Sequence, residues 1–195
     1  MKVSKKELDK ITKFMLEADK LKAIDRTGWV IRKVHKPEHV GDHAYSTALL
    51  SYIMAKKLDL DFNKCIIMAL SHDINEAITG DIATRAKEHL QKVNNTNKAK
   101  IENSNTLKML GYLDRPSQIY LRKIWEELKA RKTKEAQLVD QVDKLDYILQ
   151  LIPYHEYIKN DADVEEFFET AAKRITIPEL LYIYNKVKKQ VYNER

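Results

Sequence analysis

Residues 65–81 read CIIMALSHDINEAITGD, and the fold turns on how an apolar helical run comes to be followed at once by His72 and Asp73. Ile66, Ile67, Met68 and Leu70 read as the buried side of a helix. A polar or charged side chain carried into a core without a partner costs several kcal/mol or changes its protonation state. His72 and Asp73 therefore either mark the point where the helix surfaces or hold something. Glu76 follows His72 by four residues and Asp73 by three, so on one helix the three share a face. Gly80 then breaks the helix and lets Asp81 fold back from the loop.

The flanking sequence is helical in both directions. The run around His72 is predicted as one helix from about Phe62 to Ala77, and HAYSTALLSYIMAKKL as another from His43 to about Leu58, with Asp42 placed to cap it. Ser4 to about Leu21 carries Leu8, Ile11, Met15 and Leu16 on one face, and Ser4 and Glu7 have capping-box spacing. Between these helices RTGWVIRKVHKPEHVGDH is interrupted by Gly28, Pro37 and Gly41 and reads as a loop. Beyond Gly80, Asp81 is placed to open a helix over IATRAKEHL, KVNNTNK reads as a linker, and Ala99 to Leu110 is amphipathic. Pro116 starts a helix to about Lys132, and a long one runs from Glu135 to about Glu156, ending near Pro153. Helices over 163–174 and 178–192 complete the set. No segment alternates with period two for long enough to make a strand. The expectation is an all-α chain, a single helical domain over 1–195 whose motif-bearing part spans about 26–150.

Composition supports this reading. Four Gly and four Pro in 195 residues are few for hairpins and tight turns, and 44% hydrophobic with 33% charged residues is a globular profile. The net charge of +6 points to an anionic partner, a phosphate-bearing metabolite or nucleic acid. The single cysteine, Cys65, excludes a disulfide within the chain and suggests a buried thiol in a reducing, cytoplasmic setting. MKVSKKELDKITKF lacks a secretory apolar core, and no apolar stretch approaches the roughly twenty residues of a membrane helix, so no membrane partner is expected.

Four residues on the central helices are candidates to meet: His43, His72, Asp73 and Asp143. In the helix EAQLVDQVDKLDYILQ, Leu138, Val139, Val142, Leu145 and Ile148 form an apolar stripe; Asp143 lies beside it, and Asp140 and Asp146 flank it more freely. Two imidazoles and two carboxylates suit a divalent first-row metal with positions left open for water and substrate. Such an ion activates water and polarises a phosphoryl oxygen, and Glu76 and Asp81 then read as acids that position the water and take its proton. His39 and His43 lack the intervening Glu of a zinc-protease helix, and Gly41 argues against one helix through both, so His39 reads as a loop residue. His35, His89 and His155 read as surface or satisfied core residues.

The order His43, His72-Asp73, Asp143 resembles the H…HD…D signature of the HD-domain metal-dependent phosphohydrolases, an all-α superfamily. RTGWVIRKVHKPEHVGDHAYSTALL, ALSHDINEAITGDI and LVDQVDKLDYILQ together are similar to its YfbR-like 5′-deoxynucleotidase branch, from roughly Arg26 to Gln150. The resemblance implies that His43, His72, Asp73 and Asp143 bind one divalent metal ion (Mn, Co, Mg, Ni, Fe or Zn), and that Glu76 and Asp81 assist the attacking water. It places Arg26, Gly28, Trp29, Ile82, Ala83 and Thr84 at a nucleotide substrate, Trp29 against the nucleoside, and it implies a homodimer. Bacterial members carry Arg where this chain has Gly28; Arg26, Arg32, Lys33 and Arg85 are the alternative sources of that charge. The implied reaction converts deoxynucleoside 5′-monophosphates to deoxynucleoside and phosphate, with small nucleotides rather than nucleic acid as partners. Two other readings stay open: a cyclic nucleotide or alarmone as substrate of the same site, and a non-catalytic basic module that binds nucleic acid around a structural metal.

Overall fold

The computed structural model describes residues 3–83 and 93–193. Helix α1 (Lys5–Ala18) opens with the Ser4–Glu7 capping box and continues into a 3₁₀ turn, Asp19–Ala23. A short α2 (Thr27–Val30) lies inside the segment read as a loop. Then come α3 (Val40–Lys57), α4 (Phe62–Ser71), α5 (Glu76–Thr79) and α6 (Asn95–Leu110). The chain ends with α7 (Arg115–Ala130), α8 (Lys134–Tyr154), α9 (Asp161–Ala172) and α10 (Pro178–Asn193). Among the described residues the β structure is confined to an isolated antiparallel bridge between Asp25 and His39. No described helix is long and apolar enough to cross a membrane.

The bundle is organised around α8, which packs against α3, α4, α7, α9 and α10, while α3 and α4 pack on each other. Leu138, Val142, Leu145, Ile148 and Leu151 of α8 are fully buried and meet Met68 and Ala69 of α4 in the main core. On α3 the buried positions are 40, 43, 44, 47, 48, 51, 54 and 55, the stripe expected of a helix that faces a core on one side. Most of these residues are small, so neighbouring helices approach closely. Removing a buried leucine from such a core costs about 2–5 kcal/mol.

Several element boundaries differ from the sequence expectation for identifiable reasons. Helix α3 starts three residues early because His39 opens it and Asp42 is its third residue: the Asp42 carboxylate accepts the His39 backbone N–H at 2.9 Å. Gly41 sits inside its first turn, where a Cβ would stand 3.4 Å from the Leu21 backbone, so glycine there permits a close approach. The helix expected from Phe62 to Ala77 is interrupted, because α4 ends at Ser71 and residues 72–75 form turns before α5. Of CIIMAL, Cys65, Met68 and Ala69 are buried, whereas Leu70 is 53% exposed. The segment read as a linker contains the first turn of α6, since the Asn94 side chain caps it on the Asn97 N–H at 2.8 Å. The helix expected over IATRAKEHL falls mostly on residues 84–92, outside the described residues.

Candidate active site

His72 is buried because it continues the inward face of α4: positions 65, 68, 69 and 72 follow the helical i, i+3, i+4, i+7 spacing. His43 lies on the corresponding stripe of α3 and is fully buried. The two side chains meet with their Nε2 atoms 3.1 Å apart. Asp73 Oδ2 lies 2.9 Å from His72 Nε2 and 3.9 Å from His43 Nε2, and Asp143 Oδ1 lies 3.2 Å from His43 Nε2. The ligand atoms of His43, His72 and Asp73 thus lie within 4.8 Å of one another, and Asp143 adjoins that cluster through His43, the four being supplied by α3, α8 and the turn after α4.

The opposite ring nitrogens are occupied. His43 Nδ1 is 2.6 Å from Asp146 Oδ2, and His72 Nδ1 is 2.6 Å from the Ala69 carbonyl oxygen. Those partners accept, so each Nδ1 carries the proton and each Nε2 presents a lone pair. Asp146 was expected to lie freely beside the α8 stripe; instead it is 6% exposed and orients His43. Its position in the buried series 139, 142, 146 was the available sequence signal.

Electrostatics favour a cation at this point. Burial and the Arg26 guanidinium push the His43 imidazole down, but hydrogen bonds to Asp143 and Asp146 outweigh them and hold it at about 9. Burial raises Asp73, yet His72 overrides it and keeps the carboxyl below the usual range; Asp143 is likewise held down by Lys144 and His43 against burial. Two Nε2 atoms 3.1 Å apart also fit one ion, since ligands about 2.0–2.1 Å from a metal and at right angles lie about 3 Å apart. The donor set and its spacing therefore fit a single divalent ion.

A cleft of about 560 Å³ opens over these residues, and Arg26, Gly28, Trp29, Glu76, Asp81, Ile82, Ala83 and Lys144 line it. Glu76 is 6% exposed, and its buried Oε2 has no hydrogen-bond partner among the described residues. Burial, with Asp73 and Asp81 nearby, raises its carboxyl well above the ordinary value. Asp81 accepts the Thr27 backbone N–H at 2.6 Å, and its carbonyl accepts the Thr27 hydroxyl at 2.8 Å, which ties the cleft loop to α2.

Of the alternative cations, Arg26 is the one beside the ligands, with Nη1 3.7 Å from Asp73 Oδ2. Arg32 is committed elsewhere, to Glu166 at 2.6 Å and to the Gly28 carbonyl at 2.9 Å. Lys33 is exposed and outside the cleft lining. Thr84, Arg85 and His89 lie outside the described residues. Lys144, not singled out in the sequence, stands 2.7 Å from Asp143 Oδ2 in the cleft.

Trp29 is only 1% exposed. Its indole N–H donates to Glu38 Oε1 at 2.8 Å, and its ring packs on Phe167 and Tyr154. It forms cleft floor rather than an open stacking surface. A Cβ at Gly28 would make an ordinary 3.9 Å contact with Phe167, so space does not demand glycine there. His39 is 40% exposed in its side chain, pairs with Asp25 and Asp42, and does not line the cleft.

The HD domain family model matches residues 18–181. The chain belongs to the HD domain family. It is 31% identical over 185 residues to 5′-deoxynucleotidase HDDC2 of Xenopus laevis, covering 95% of this chain and 87% of that one. It is 26% identical to 5′-deoxynucleotidase hdd1 of Schizosaccharomyces pombe, over 80% of this chain and 78% of the relative. A conserved hypothetical protein of Pyrococcus furiosus has the same fold, with TM-score 0.70, 31% identity, and coverage of 91% of this chain and 99% of that one. A structure of a predicted metal-dependent phosphohydrolase from Magnetospirillum magnetotacticum shares the fold at TM-score 0.72 and 20% identity, covering 97% of each chain. This HD domain accordingly carries its H…HD…D residues at the convergence point of α3, α4 and α8.

Proposed function

We propose that the protein is a metal-dependent 5′-deoxynucleotidase that hydrolyses deoxynucleoside 5′-monophosphates to deoxynucleoside and phosphate. The observation that carries this reading is the convergence of both Nε2 atoms with Asp73 and Asp143 beside Glu76, a buried carboxylate with an unpartnered oxygen. A merely structural metal site has no use for that acid. The relatives named 5′-deoxynucleotidase support the substrate class.

His43, His72, Asp73 and Asp143 hold one divalent ion, and their mixed nitrogen and oxygen donors admit Mn, Co, Mg, Ni, Fe or Zn. When bound, the ion polarises a phosphoryl oxygen and lowers the pKa of water at neutral pH. Glu76 orients the attacking water and accepts its proton at Oε2, a task suited to a carboxyl raised above its usual range. Asp81 assists in two ways: its charge raises Glu76, and its bond to Thr27 fixes the segment bearing Arg26 and Gly28. Arg26 and Lys144 face the cleft as the cations that orient the phosphoryl oxygens. Ile82 and Ala83 with Gly28 and Trp29 bound the nucleoside.

The assembly we propose is a homodimer in the cytoplasm. The buried Cys65 thiol, pushed up to about 12 by burial, suits a reducing compartment. Exposed Tyr45, Leu49, Tyr52 and Ile53 on α3 supply an apolar stripe for the second copy.

Phosphate release from ribo- and deoxynucleoside monophosphates, with cyclic nucleotides and an alarmone in the same panel, tests the activity. Each is assayed with Mn, Co, Mg and Zn, against EDTA and Glu76→Ala. Metal-dependent release from the deoxynucleoside monophosphates, abolished by EDTA and by Glu76→Ala, is expected. Release from none of the panel would overturn the proposal.

A further inference from the structure

Glu38 has no place among the expected metal, catalytic or substrate residues, yet it is buried, its side chain 8% exposed, and reaches the site from behind. Oε1 accepts the Trp29 indole N–H at 2.8 Å and lies 3.8 Å from Arg26 Nε. The main chain adds to this link: the Arg26 N–H donates to the Glu38 carbonyl at 3.0 Å, and the adjoining Asp25–His39 bridge clips the two segments together. On the other side of the guanidinium, Arg26 Nη1 is 3.7 Å from Asp73 Oδ2. Neither separation is that of a closed charge-assisted hydrogen bond, about 2.7–2.9 Å. The guanidinium is shared between Asp73, one of the four expected ligands, and Glu38, which adjoins His43 and Asp146 and is not one of the four.

We infer that Glu38 is a positioning residue whose charge draws Arg26 off Asp73, leaving Asp73 to the metal ion and the guanidinium to the substrate phosphate. The part concerning phosphate rests on the nucleotidase reading; the part concerning metal rests on geometry. Asp81, Asp73 and Asp143 all attract Arg26 from the cleft side, and Glu38 is the acid that opposes them from the Trp29 side. Without it the guanidinium closes on Asp73 and competes with the ion for the same oxygen. The same Oε1 accepts the Trp29 N–H, so one buried carboxylate links Arg26 and Trp29.

A double-mutant cycle at pH 8 tests this, with Mn(II) binding to wild type, Glu38→Gln, Arg26→Ala and the double variant measured by titration calorimetry. Glu38→Gln is expected to weaken Mn(II) about tenfold, at the lower end of what orienting partners of metal sites contribute, and to cause no further loss in the Arg26→Ala background. Inorganic phosphate titrated into the Mn-loaded proteins is expected to follow the same pattern. Trp29→Phe, which removes the indole donor and keeps the carboxylate, leaves Mn(II) affinity within about twofold of wild type if the charge is what matters. Unchanged Mn(II) affinity in Glu38→Gln, a loss that persists without Arg26, or an equal loss in Trp29→Phe overturns the inference. If Glu38→Gln does not fold, a double variant that regains a cooperative melt supports it, and one that stays unfolded overturns it. Wild type that binds Mn(II) but hydrolyses no nucleotide sinks the nucleotidase reading alone and leaves the metal cycle to decide Glu38.

Discussion

His43 and His72 face each other through Nε2 atoms 3.1 Å apart, while Asp146 and the Ala69 carbonyl each hold the opposite nitrogen at 2.6 Å. Both rings are thereby set in the tautomer whose lone pair points at the other. Two acceptors in that position repel unless a positive charge lies between them, and a proton or a divalent ion meets the need. Asp73 and Asp143 complete the surroundings of either one.

Proton and metal must then compete. His43 is held at about 9, because its hydrogen bonds to Asp143 and Asp146 outweigh burial and the Arg26 charge, which act downward. Binding a metal ion at pH 7.5 should release about one proton from the site. Apparent affinity should climb with pH up to about 9 and level off above it. Calorimetry in two buffers of different ionisation enthalpy counts the proton; release of none contradicts the arrangement. The folded-state value lies above the unfolded 6.5, so the stability this group gives the metal-free protein is complete below 6.5 and lost as pH rises through 9. With EDTA present, Tm should fall over that window.

Asp146 acts through His43. Replacing it with Asn keeps the volume but allows the opposite tautomer, which takes the lone pair away from the ion. Asp146→Asn should lower metal affinity by about 10–100-fold, as loss of a partner to a ligating histidine does in other metal sites. Metal content after dialysis against a graded chelator measures it, and full retention would refute the orienting role.

Much of this site is legible in the sequence because helical periodicity carries it. His72 extends the buried series 65, 68, 69, and His43 falls within the buried series of α3, so each is a polar residue at a core position. Asp143 stands beside the apolar stripe of α8, and the resemblance then supplies the order that joins it to the two histidines. What periodicity cannot carry is which polar atoms face each other across elements. Asp146 is on the α8 stripe, but its pairing with a residue 103 positions away has no local signature. Glu38 meets Arg26 and Trp29 through a clip between two irregular segments, where no repeat exists to read. Trp29 illustrates the converse: the resemblance sets it against the nucleoside, and packing on Phe167 and Tyr154 buries its ring. The α4 helix expected to reach Ala77 stops at Ser71 although 72–75 remain locally turn-like, a difference of hydrogen bonding rather than of pattern.

Glu76→Gln separates catalysis from metal binding. The substitution keeps size and removes the proton acceptor, while the four ligands are untouched. Metal content should match wild type and kcat should fall by about 10²–10⁴, the range for a lost general base. Asp81→Asn, which can still accept the Thr27 N–H, should instead move the acid limb of the pH profile to lower pH, because Asp81 is one of the charges that raise Glu76. A profile unchanged in Asp81→Asn removes the electrostatic role assigned to it.

The dimer proposed through α3 has its own consequence. Tyr45, Leu49, Tyr52 and Ile53 follow i, i+4, i+7, i+8 spacing and are 66%, 47%, 38% and 43% exposed, opposite the stripe that carries His43. An apolar helix face left to solvent in this way is the kind of surface that association covers. Two glutamates at the centre of a two-fold interface would face each other's symmetry mates, adding like-charge repulsion to lost apolar contact. Leu49→Glu combined with Ile53→Glu should therefore convert the dimer to a monomer in analytical ultracentrifugation, with the helical content unchanged. Because His43 points the other way, into the bundle, metal affinity should survive the change. A double variant that sediments as wild type excludes α3 as the interface, and one that dissociates and loses its metal shows that the two faces of α3 are coupled.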